Sequence, residues 1–103
     1  MIEPASIESL KAAVEELHGG TATFVQAVPV REMFKREVVW EGVVHVFNLA
    51  LQDSEEVAYS WSSPIEGTEK RRFFAVLAIP PINSPADAVR AAIVAEHRKE
   101  NGT

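Results

Sequence analysis

The stretch EVVWEGVVHVFNLAL, residues 37–51, is apolar on both sides of an extended chain. Val38, Trp40, Gly42, Val44 and Val46 fall on one side, and Val39, Glu41, Val43, His45, Phe47 and Leu49 on the other. A strand with one face in water alternates apolar and polar residues, whereas this one needs cover on both faces. A second stretch, KRRFFAVLAIPP, repeats the pattern: Phe73, Ala75, Leu77 and Ile79 oppose Phe74, Val76 and Ala78. Whatever the chain folds into must bury two faces of one sheet.

The remaining elements follow from period and punctuation. Residues 5–17 carry Ile7, Leu10, Val14 and Leu17 at helical spacing, with Glu8, Lys11, Glu15 and Glu16 opposite. Pro4 and Ser6 mark the start of this helix, and Gly19-Gly20 its end. His18, in the last turn, suits the negative end of the helix dipole. TATFVQAVPV is rich in β-branched residues, and Pro29 places it at a sheet edge or a bend. REMFKR reads as a connection, QDSEE ends the long strand, VAYSWS alternates cleanly, and SSPIEGTE is a turn. The last helix opens at Asn83-Ser84-Pro85-Ala86-Asp87, with Ser84 as N-cap and Pro85 in the first helical position, and stops at Asn101-Gly102. Ala86, Val89, Ala92 and Ile93 form its buried seam; Ala88, Ala91 and Ala95 form a second, smoother strip.

The order α-β-β-β-β-α with short connections predicts an α+β domain built on a four-stranded antiparallel meander, with both terminal helices across one face. One face is then left bare, presenting an apolar patch on the order of several hundred Å2, which monomers seldom expose. Two-fold self-association is the leading expectation for its cover, since homodimers are the commonest oligomers. The other candidates are a small molecule, a different protein, or a bulge at Gly42 that shifts the parity.

A chain of 103 residues forms one domain. It has no cysteine, which removes disulfides, thiolate catalysis and thiolate metal sites, and fits a reducing compartment. The start MIEPASIESLKAAVEELH lacks the basic and apolar regions of a signal peptide, and no uncharged run approaches the roughly 20 residues of a membrane span. A cytoplasmic location is expected. The net charge of -5 works against phosphate neutralisation, so neither nucleic acid nor membrane is an expected partner.

The residues that carry chemistry are sparse. His18, His45 and His97 stand in three different elements without metal-site spacing, and neither a metal nor a cofactor is expected. Glu41 and His45 share a strand face but are separated by roughly 13 Å, too far for a base and its orienting carboxylate. No glycine-rich phosphate loop precedes a helix. Lys70, Arg71 and Arg72, with Lys35 and Arg36 at the same end of the sheet, offer an anion-binding rim or a solvated strand start balanced by Glu66 and Glu69. Trp40, Tyr59, Trp61 and Phe73 read either as core or as contact residues. A pocket walled by Trp40, Tyr59 and Trp61, with His45 or an arginine as polar anchor, is the sharpest ligand site the sequence offers.

WEGVVHVFNL, AYSWS and KRRFFAVLAIPPINSPADAVRAAI together resemble a group of short uncharacterised bacterial proteins, some encoded on the mobile gene cassettes of integrons, over roughly residues 8 to 98. The resemblance implies a compact, oligomeric α+β domain from an accessory gene and transfers no catalytic residue. Three functions follow for testing. The first is an oligomeric binding or adaptor module that presents its sheet face or an adjacent pocket. The second is a cone-shaped α+β enzyme using His45 or Glu41, and the third an accessory or antitoxin-like interaction protein.

Overall fold

A computed structural model describes residues 6–65 and 67–100, the last four by backbone alone. Pro4, Glu66, the Asn101-Gly102 stop and the side chain of His97 lie outside this description. The elements are α1 (Ile7–His18), β1 (Thr21–Phe34), β2 (Glu37–Ala50), β3 (Glu55–Pro64), β4 (Arg71–Leu77) and α2 (Pro85–Glu100). The strands form one antiparallel sheet in the order β1-β2-β3-β4, which is the expected α+β meander. Both helices begin as their capping residues dictate. Ser6 Oγ accepts from the Ser9 N–H at 3.1 Å. Ser84 Oγ accepts from Asp87 N–H while Asp87 Oδ2 accepts from Asn83 N–H, each at 3.1 Å. Gly19, at φ 76°, ends α1, and its N–H donates to Glu15 O.

The helices do not share a face. Leu10 and Val14 of α1 pack with Ala22, Phe47, Leu49, Ala58 and Ala75. Ala88 and Val89 of α2 pack with Val30, Val44, Val46, Tyr59 and Trp61. Along β2, β3 and β4 the two sets alternate residue by residue, so α1 and α2 lie on opposite sides of the sheet. The expectation of two helices on one face is therefore corrected. The two-sided strands have the reason written in them: each face carries enough apolar area to hold its own helix, and stacking both helices on one side would waste half of it. The cover that the long strand demands comes largely from the chain itself.

Several local expectations shift as well. α1 buries Leu10, Ala13 and Val14 but leaves Ile7 and Leu17 exposed, because it meets the sheet through its middle turn. The segment REMFKR is the tip of a hairpin instead of a loop. β1 runs on to Phe34 and turns at Lys35 and Arg36, both at positive φ (50° and 70°), as a two-residue turn with matching twist requires. Gly42 carries no bulge. The register shifts lie between Phe24 and Gln26 in β1, and beside Val39, which is the extra residue of β2 between the pairs Glu32–Trp40 and Met33–Val38. β2 pairs with β3 only from His45 to Ala50, so the outer half of the β1–β2 hairpin is a two-stranded arm. Pro29 sits on the edge strand β1, as its missing N–H requires.

Candidate functional site

The two faces offer different surfaces, and each arises where a strand outruns its neighbour. Beyond the His45–Ser60 pair, β2 and β3 part. The Trp40 side chain spans the gap, donating from Nε1 to Ser63 Oγ at 3.1 Å. Its ring lies over Gly42, where any Cβ would stand 2.8 Å from the ring, so glycine is what allows tryptophan to lie flat along the strand. Trp61 meets Trp40 edge-on at 6.2 Å and stacks on Phe74 at 5.0 Å with the rings 7° from parallel. These rings, with Ser63 and with Val89, Ala92, Ile93 and Glu96 of α2, line an apolar groove of about 240 Å3.

The sequence-derived pocket is thus assembled only in part. Trp40 and Trp61 come together, whereas Tyr59 shares their face but is buried in the α2-side core and lines no part of the groove. Burial, and then the nearby Asp87 carboxylate, push its hydroxyl pKa up. His45 points to the opposite face, so it does not anchor this groove. The wall residues absent from the expected pocket are Ser63, Phe74 and Glu96, together with Val89, Ala92 and Ile93, which helical spacing assigns to the buried seam of α2. One signal for Glu96 was available: it continues the apolar stripe 89, 92, 93 of α2 by one more turn, a carboxylate where burial calls for a hydrocarbon.

The basic triplet is split by strand alternation. Lys70 lies in the exposed turn before β4. Arg71, on the α1 side, donates to Ser62 Oγ (2.7 Å) and to Ser62 O (3.2 Å). Arg72, on the α2 side, pairs with Glu96, and its guanidinium carbon lies 5.1 Å from the centre of the Phe74 ring. Lys35 and Arg36 are at the same end of the sheet, out on the hairpin turn.

On the α1 side, the helix covers the row through Leu49 and Phe47 and leaves the next rows open. Phe24 (38%), Val43 (47%) and Phe73 (43%) keep large apolar exposure there, and Met33 faces Val38 across the arm. Between these pairs Arg31 and Glu41 neutralise one another, with Arg31 Nε to Glu41 Oε2 at 2.9 Å. His45 lies half-buried in this surface, its ring centroid 5.7 Å from that of Phe24. Its Nδ1 is buried without a hydrogen-bond partner among the described residues, and desolvation lowers its pKa below 6.5. Glu41 is committed to Arg31, so the two do not form a dyad. Among the described residues no three His, Asp or Glu side chains converge on a point, and no helix is long and apolar enough to cross a membrane.

Comparison with known proteins finds no family model, no curated protein and no solved structure that matches the chain. The chemistry of these two surfaces therefore carries the functional reading.

Proposed function

We propose that this chain is a cytoplasmic binding module that works as a two-fold dimer, joined through the open part of its α1-side face and carrying a ligand groove on the other. The observation behind this reading is the bare apolar strip from Phe24 through Val43 to the Met33–Val38 pair, flanked by Phe73, which persists after both helices have packed. A second copy is the partner that the charges favour. The strip's Arg31–Glu41 pair is internally balanced, so it offers no net sign for an acidic or basic partner to read. In a two-fold contact the same pair can exchange partners across the axis without repulsion. A catalytic role for His45 has less support, because the carboxylate on its strand face is held by Arg31.

Size-exclusion chromatography with light scattering tests the dimer. The wild type should run at twice the chain mass at micromolar concentration. Val43→Asp, which places a charge on an already exposed site, should give a folded monomer with dissociation at least about tenfold easier. A wild type that stays monomeric, or a V43D variant that dimerises unchanged, would sink the proposal.

A further inference from the structure

The groove on the α2 side is lined by aromatic rings and one carboxylate, and a cation stands beside it, against two of its lining residues. Phe74 stacks on Trp61, and the Arg72 guanidinium carbon sits 5.1 Å from the Phe74 ring centre while Arg72 pairs with Glu96. A delocalised cation over an aromatic face, with a carboxylate beside it, is the arrangement by which proteins hold organic cations. Here the chain's own side chain occupies it. Arg72 keeps 50% of its side-chain exposure, so its pair with Glu96 is solvent-screened and easily exchanged. We infer that this groove is a binding site for a small organic cation, a quaternary ammonium or guanidinium group, which takes the place of Arg72 over Phe74 and against Glu96.

The dimensions narrow the ligand further. About 240 Å3 is below the roughly 300–1,000 Å3 of sites that enclose drug-sized molecules, so the groove takes a headgroup and leaves any longer body outside. An anion is disfavoured twice: Glu96 already neutralises Arg72, and the ring faces carry negative charge density. A neutral apolar group of equal size gains the burial but neither the ring attraction nor the carboxylate. The inference rests on the ligand groove of the proposed function and names what it takes. Because the site lies across the sheet from the dimer strip and uses none of its residues, a failed dimer test leaves it standing, and a failed choline test leaves the dimer standing.

The test titrates the full-length chain with choline at constant ionic strength, following tryptophan emission, and repeats it with 3,3-dimethylbutanol, in which carbon replaces the ammonium nitrogen. Choline should give a saturable change, with the alcohol binding about tenfold more weakly. Glu96→Gln should weaken choline by about tenfold through loss of the charge. Arg72→Ala should strengthen it several-fold, because the internal competitor is gone. Circular dichroism establishes that both variants are folded, as expected for one half-exposed and one partly exposed side chain. Equal binding of the alcohol, an E96Q variant that binds choline like the wild type, or no saturable response in either the wild type or R72A would each overturn the assignment.

Discussion

His45 sits half-buried on the α1 side of β2, and its chemistry can be followed by pH. Desolvation favours the neutral ring, so its folded pKa is lowered from 6.5. In the unfolded chain the ring takes a proton near its ordinary value. Between the two values the unfolded state binds more protons, and stability rises with pH. The contribution is complete above about pH 6.5 and is lost as pH falls toward the folded pKa. The urea midpoint of the wild type should therefore drop between about pH 7.5 and pH 5, and His45→Phe, which keeps a ring beside Phe24, should flatten part of that drop. Equal pH slopes for the two proteins would show that His45 is not the group responsible. Sequence alone places His45 among apolar neighbours, which is correct, but not on which face. Gly42 teaches the complementary lesson. A glycine within a strand pattern suggests a bulge, yet here it makes room for the Trp40 ring, a neighbour two residues away that the alternation pattern itself puts on the same side.

At the level of elements, the decisive feature is that both parities of the long strand are core. Phe47 is fully buried beneath α1, and Trp61 is 2% exposed beneath α2. Truncating either to alanine should cost roughly 3–5 kcal/mol in urea denaturation, a large share of the 5–15 kcal/mol typical of a domain. If only one of the two substitutions were severe, one helix would not be packed as described. Much of this level was legible beforehand. The Ser84-Pro85-Asp87 start, the glycine stop of α1 and the strand runs each rest on local chemistry, and local chemistry can be read from a local stretch. The arm was not legible, because its turn uses Lys35 and Arg36 at positive φ, where glycine or asparagine would have announced a hairpin. The same limit explains the groove: strand alternation puts Arg72 and Phe74 on one side, but Glu96 meets them only once α2 has chosen its face, and no local period records that choice.

For the whole molecule, the two-sided strand of residues 37–51 has two answers along its length. From His45 to Ala50 it is an interior strand, with Phe47 and Leu49 packed under α1 and Val46 in the α2-side core. From Glu37 to Val44 it pairs with β1 alone, and there only the α2 side is closed, by Trp40 and Val44. The radius of gyration, 13.9 Å, exceeds the about 13 Å expected for a compact chain of this length, as a projecting arm requires. The tip of the arm, bearing Met33, Phe34, Val38 and Val39, each about half exposed or more, adds little to the core and much to any interface. The two roles separate experimentally. Glu32 and Trp40 face one another across the ribbon, so residues 33–39 can be replaced by Asn-Gly, the two-residue turn best suited to close the shortened hairpin. The melting temperature should stay within about 5 °C of the wild type, since no buried side chain is removed. The apolar strip, by contrast, loses its Met33–Val38 end, and dimer dissociation should become at least about tenfold easier by light scattering. A shortened protein that fails to fold would make the arm structural, and one that dimerises as tightly as before would confine the interface to Phe24, Val43 and Phe73.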